Sequence, residues 1–294
     1  MRRSFLLFGS DNRPTEAFAA FLRDVQVPGN DLTSIDTALQ KRFFQKDPVT
    51  QQPLERWELK EVEVSCPPDR IRQYLAACGF LDESKPSANL YDYGAWPGAL
   101  VPRATVRLKD LVGAWKNGVQ WDKTVAFSGK RELQKDKEGY EQCCAAAEIK
   151  SGDKGSHIWW NRVKPETERE MMLFLYRYYS PAHYYYDTGF PFLGIEFINA
   201  PMKPPVKKGG PPVRPTTEDT IREWLRSDPK PGSVLLSSGA PYGMAQDEAF
   251  WMLLEPHGFT VETFGHAAPD LPIENFMREV AGCVNRIRKA RLGS

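Results

Sequence analysis

Between Thr124 and Gly265 the chain returns again and again to one pattern, a short apolar run, a turn of small residues and then an amphipathic stretch: TVAFSGK, PETEREMMLFLYRYY, IEFINAP, TTEDTIREWL, SVLLSSGAP, QDEAFWMLLE and FTVETFG. Short runs bounded by turn formers suit strands covered on both faces, and apolar positions three and four apart suit helices that bury one face. In this order they predict an α/β fold with a mostly parallel central sheet between two helical layers. Upstream, NLYDYGAWPGALVPRA predicts a first strand near Leu90, a glycine-bearing loop and a helix with Pro102 in its first turn. Leu108, Leu111, Val112 and Trp115 recur there at helical spacing, and Gly118 closes it. Thr216 and Asp219 form a variant of the capping box that opens a helix with Ile221, Trp224 and Leu225 on its buried side. Ser233 to Ser237 is an uninterrupted strand, and the helix from Asp247 to Glu255 stops at Pro256.

The flanks carry weaker signals. Residues 1–84 form an N-terminal α+β accessory segment, and residues 85–294 the main α/β domain. In the first part Phe5 to Phe8 predicts a strand, and Phe18, Phe21, Leu22 and Val25 one face of a helix begun at Pro14. Leu54 to Val64 predicts a half-exposed strand through Trp57, Leu59, Val62 and Val64, and Ile71, Tyr74, Leu75 and Cys78 a helical stripe ending at Gly79. At the C-terminal end Ile273, Phe276, Met277, Val280, Val284 and Ile287 make a long stripe opposite Arg278, Arg286, Arg288, Lys289 and Arg291; that basic face suits an acidic partner or plain solvent. Two long insertions interrupt the main domain, Lys130 to Lys164 and Ser180 to Pro215. The second holds Tyr184, Tyr185, Tyr186 and Phe190, aromatic enough to pack as a lid, followed by KPPVKKGGPP, which predicts an extended mobile loop.

Composition narrows the partners. The 294 residues are 41% hydrophobic, and 39 Lys and Arg nearly balance 38 Asp and Glu, so no global field favours nucleic acid or a membrane surface. No window approaches the ~20 apolar residues of a membrane span, and the apolar run behind Arg2 and Arg3 is too short for a secretory leader. Five cysteines without CxxC spacing suit free thiols in a reducing, cytoplasmic compartment. The adjacent Cys143 and Cys144 suit either a redox pair or an ordinary small-residue helix, CCAAAE.

Ligands of parallel sheets sit at the carboxyl ends of the strands, where glycines let backbone approach and helix starts offer unpaired amides to an anion. The strand ends in this chain are Gly94 to Gly98; Ser128, Gly129, Lys130 and Arg131; Thr216 and Thr217; and Ser237 and Ser238, followed by Tyr242 and Gln246. With Arg103, they form either a site for a small anionic or nucleotide-like ligand or tight turns that the fold demands. Glu168 and Asp219 are the candidate bases, with Asp92 and Glu248 also near strand ends; such carboxylates more often serve in a helix first turn, where they complement the macrodipole. Ser238 is a nucleophile only beside a base, and no metal-binding spacing is present among His157, His183, His257 and His266. A protein that keeps the fold for non-catalytic interactions, such as a secreted bacterial effector, is the alternative.

Over roughly residues 88–265 the order of these motifs resembles the YdcF-like, or DUF218, family of bacterial proteins. YDYGAWPGALVPRATVRL is similar to that family's glycine-bearing strand end and arginine-started helix, and FSGKRE with PETEREMM to its Ser-Gly strand end and Glu-rich helix start. RPTTEDTI resembles its Ser-x-Asn-Thr-x-Glu-Asn helix start, with Thr217 and Asp219 kept and Thr216 and Thr220 in place of the asparagines. SVLLSSGAPYGMAQ keeps Ser238 but lacks the family's following His-x-x-Arg. The resemblance implies a Rossmann-like fold and a nucleotide-like ligand, S-adenosylmethionine among them, in a family of ill-defined activities; the lost histidine and arginine count against carrying an activity over whole. If the protein is an enzyme, hydrolysis or group transfer is its reaction class.

Overall fold

The computed structural model describes residues 3–45, 54, 58–60, 64–148, 164–179, 194–205, 209–268 and 270–293. The chain divides into two compact units, one of residues 1–85, 239–252 and 263–294, the other of residues 86–238 and 253–262. The N-terminal segment is thus joined in its unit by two later stretches of chain.

Five strands, β1 (Leu90–Pro97), β2 (Gln120–Gly129), β3 (Glu196–Ala200), β4 (Ser233–Ser237) and β5 (Thr260–Phe264), form one all-parallel sheet in the order β3-β2-β1-β4-β5. Each crossover carries a helix, as parallel neighbours require. This is the Rossmann-like three-layer sandwich that the alternation of apolar runs predicts. In the second unit α4 (Val101–Lys116) follows β1, α7 (Glu168–Tyr179) precedes β3, and α8 (Thr217–Leu225) precedes β4. Register places Ala126 of β2 beside Trp96 and Phe197, and Phe127 beside Pro97 and Ile198, so successive rows face opposite layers. Trp96 donates its indole N–H to the Ala104 carbonyl of α4, and Phe197 meets Tyr176 of α7 edge-on. On the other face Phe127, Tyr93 and Phe259 ring the buried Trp224 of α8. Fully burying side chains of this size contributes about 1.5–3 kcal/mol each.

Within the insertion from Lys130, two short helices form, α5 (Lys135–Glu138) and α6 (Tyr140–Ala146). CCAAAE is therefore helical through Ala146, with Cys143 and Cys144 buried, and burial pushes the Cys143 thiol up to about 12, which leaves little thiolate at neutral pH. Of KPPVKKGGPP, residues 206–208 lie outside the described residues. At its ends Lys203 and Val213 exchange backbone hydrogen bonds of 2.7 and 3.0 Å. The expected aromatic lid, Tyr184 to Tyr186 and Phe190, lies outside the described residues.

The first unit contains α1 (Glu16–Asp24), α2 (Leu32–Phe43), α3 (Pro68–Ala77), most of α9 (Gly243–Leu254) and α10 (Ile273–Leu292). Its core is the predicted stripes: Phe18, Phe21, Leu22 and Val25 with Ile71, Leu75 and Cys78, and Phe276, Met277, Val280, Val284 and Ile287 from α10. Phe5 to Phe8 is not a strand. Arg3 to Leu6 make a tight 3-10 turn in which Leu7 and Phe8 donate to the Ser4 carbonyl, and Phe8 adds a single antiparallel bridge to Pro14. Four consecutive apolar residues satisfy either conformation, and burial of Leu7 and Phe8 with exposure of Phe5 and Leu6 follows the turn rather than alternation. Leu54, Leu59 and Val64 are likewise outside any strand, while Trp57 and Val62 fall outside the described residues. Three arginines on the basic face of α10 are engaged within the chain. Arg278 donates to the Leu54 carbonyl, Arg288 pairs with the buried Asp36 at 2.7 Å, and Arg291 donates to the Gly9 carbonyl at 2.6 Å.

Candidate functional site at the carboxyl edge of the sheet

Three loops of the second unit meet where β1, β2 and β4 end. Leaving β1, Gly98 donates its N–H to the Phe127 carbonyl of β2 at 2.7 Å. A Cβ on Gly98 would stand 2.8 Å from that carbonyl oxygen and 2.8 Å from the Glu168 carboxylate, closer than real contacts allow, so the position requires glycine. At the end of β2, Ser128 Oγ donates to the Ile198 carbonyl at 2.5 Å, and Gly129 donates its N–H to Glu168 Oε2 at 2.9 Å. Gly129 is also packed on Pro215, just ahead of α8: an added Cβ would lie 2.3 Å from the proline ring. At β4, Ser237 Oγ donates to the Arg107 carbonyl at 2.8 Å.

Two guanidinium groups bind this edge together. Arg107, buried on the inner face of α4, donates to the Pro97 and Gly98 carbonyls at 3.0 Å each and to Ser238 Oγ at 3.3 Å, which links the ends of β1 and β4. Arg131 lies two residues beyond β2. It grips Glu138 with two hydrogen bonds of 2.6 Å and reaches Glu168 Oε1 at 3.1 Å and the Ala99 carbonyl at 3.4 Å. Burial works against a charge on Arg131, but the hydrogen bonds and charges of Glu138 and Glu168 outweigh it and push its pKa up.

The strand ends that the sequence singles out are therefore distributed unevenly. Gly98, Ser128, Gly129, Arg131, Glu168, Ser237 and Ser238 belong to one connected polar edge. Lys130 is exposed beside it and donates its backbone N–H to the Ala200 carbonyl at 2.8 Å; Arg103 is half-buried in the first turn of α4. Gly94 is not at a strand end. It is paired in mid-strand with Thr124 and Leu235, and its missing side chain makes room for the Trp121 indole, 2.5 Å from where a Cβ would be. Tyr242 and Gln246 belong to the first unit.

Thr216 and Asp219 cap α8 reciprocally, as the capping box predicts, and Thr217 is its first helical residue. Asp219 also pairs with Lys203 at 2.8 Å. Burial pushes its carboxyl up, but Lys203 and the Thr216 N–H and hydroxyl outweigh this and leave the pKa below the ordinary value. A carboxylate so held is a poor base. Among the described residues no group of three or more His, Cys, Asp or Glu is placed to hold a metal ion, and His157 and His183 lie outside them.

Arg107 and Glu138 escaped the sequence reading. A signal existed for Arg107: it lies three residues after Ala104 and four before Leu111, on the buried face of its helix. A charge on such a face needs a partner, and here the strand ends supply it. Glu138 had none, since nothing in the polar run around it marks a fully buried carboxylate. Comparison with protein-family models, with curated proteins and with solved structures produced no match to this chain.

Proposed function

We propose that the carboxyl edge of the sheet binds a small anionic ligand, with Gly98, Gly129 and Arg131 around it and Lys130 and Arg103 at its rim. The observation that carries this reading is that the edge already holds an anion: the Glu168 carboxylate, fixed by a backbone amide and a guanidinium between two glycines. A nucleotide-like molecule or S-adenosylmethionine is the class that the YdcF-like order of motifs adds, and with it a bacterial origin. Five free, buried cysteines support a reducing, cytoplasmic compartment. Among the described residues no helix is long and apolar enough to cross a membrane. Catalysis is the weaker part of the reading, because Asp219 and Glu168 both spend their oxygens on donors within the chain.

That internal saturation favours a second reading, a protein that keeps the fold for interactions and binds no small molecule. Ser128 donates to Ile198, Ser238 accepts from Arg107, and Asp219 answers Thr216 and Lys203. A thermal-shift panel of nucleotides, S-adenosylmethionine and small carboxylates on the wild-type protein separates the two. A ligand at a hundred times its Kd adds about 2.7 kcal/mol, and a flat response across the panel would favour the interaction protein.

A further inference from the structure

Resting on the binding reading above, we infer that the cradle formed by the Gly129 amide and the Arg131 guanidinium is a carboxylate site, and that Glu168 occupies it as an intramolecular competitor which an incoming carboxylate ligand must displace. The geometry is that of a carboxylate receptor. Each Glu168 oxygen faces its own donor, Oε2 the Gly129 N–H at 2.9 Å and Oε1 the Arg131 Nη2 at 3.1 Å, and both donors come from the three-residue turn after Ser128. Paired donors of fixed spacing match a planar two-oxygen anion.

The walls fit the same guest. Gly98 has no side chain where one would strike Oε1, and Gly129 has none where one would strike Pro215. Glu138, fully buried, is a positioning residue: its two hydrogen bonds to Arg131 fix the plane of the guanidinium.

Charge selects carboxylate over phosphate. The Glu168 carboxylate lies in a buried polar edge that holds the guanidinium groups of Arg131 and Arg107 and the Glu138 carboxylate. Exchanging it for another carboxylate leaves the charge of that edge unchanged. A phosphate dianion would add one more negative charge where desolvation is costly. Of the two carboxylates, Glu168 is the one that touches solvent, its side chain keeping 11% of its surface exposed while that of Glu138 keeps none. A tethered competitor weakens the apparent affinity for a free ligand by the fraction of time that it leaves the cradle open.

The test is rescue by a small carboxylate. Wild type, Glu168→Gln and Glu168→Ala are melted in sodium acetate, sodium chloride and sodium phosphate at matched ionic strength, and acetate is titrated while the Gly129 amide is followed by NMR. Expected is a saturable rise in the Tm of Glu168→Ala with acetate but not with chloride or phosphate, a shifted Gly129 amide, and an acetate affinity about tenfold or more above that of wild type. Glu168→Gln, which fills the cradle without charge, should fall between them, and it carries the test if the alanine variant does not fold. Equal responses to the three salts, or a Gly129 amide that acetate leaves unmoved, would overturn the carboxylate site. Equal acetate affinity in wild type and variants would overturn the competitor role alone and leave the binding reading standing. Rescue of the variants beside a flat wild-type ligand panel would keep the cradle and remove the proposed function.

Discussion

Both compact units bury charge, but they use it differently. In the first unit ionic groups fasten chain segments around an apolar core. Arg288 and Asn285 of α10 hold Asp36 of α2, Arg291 ties down the Gly9 carbonyl, and Asp247 of α9 accepts from the Arg3 N–H and the Thr263 hydroxyl. Each contact joins two separate pieces of chain, and an ion pair such as Arg288 with Asp36 is of a kind that packed apolar residues can replace. In the second unit buried charge is gathered at one edge of the sheet, beside glycines that a methyl group would overfill. Fastening alone explains the first arrangement. The second also leaves side-chain-free walls at the strand ends where parallel sheets take ligands.

The sharpest way to break this comparison is Arg131→Met. It leaves Glu138 and Glu168 buried without their cation and should cost about 3–5 kcal/mol, read from the midpoint of urea unfolding. A loss as small as that of an exposed ion pair would mean that the edge is no more demanding than the fastenings of the first unit.

Next in size is a pH effect in the first unit. Burial pushes the Asp247 carboxyl up to about 6, with Glu248 adding to it and Thr263 and Arg3 opposing. The folded value lies above the ordinary 3.8, so the folded state holds this proton more tightly than the unfolded state does. The stabilisation is complete below pH 3.8 and is lost as pH rises through about 6, a change of about 3 kcal/mol at 1.36 kcal/mol per pKa unit. Stability curves of wild type and Asp247→Asn should therefore diverge across that window, and parallel curves would show that Asp247 titrates normally.

Gly129→Ala tests the walls of the edge. The new methyl group must push against Pro215, and overpacking of this kind costs about 1–3 kcal/mol. A neutral result in denaturant melts would show that the α8 start gives way easily and that the glycine is dispensable. Smallest is Thr216→Ala, which removes the cap of α8 and should cost about 1 kcal/mol. A larger loss would place Thr216 within the polar edge rather than at the end of a helix.

Much of the fold was legible because it is written locally. The apolar runs at Val125 to Phe127 and Val234 to Leu236, the capping pair Thr216 and Asp219, and the closing Gly118 each carry their meaning within a few residues. Phe5 to Phe8 misled for the opposite reason: four apolar residues obey both a strand and a tight turn, and only the chain around them chooses. Gly94 misled because a glycine near a strand end looks the same whether it approaches a ligand or a tryptophan.

By itself the sequence determined the parallel sheet, its helical layers and the neighbourhood of the strand ends, since burial periodicity and turn chemistry act over short separations. It took the folded chain to show that Glu168, Glu138 and Arg131 share one buried cluster, that Arg107 bridges β1 to β4, and that Arg278, Arg288 and Arg291 of α10 face carbonyls and a carboxylate. Those pairings depend on distances between segments far apart in the chain. A charged residue carries no mark of its partner until folding removes the water from both.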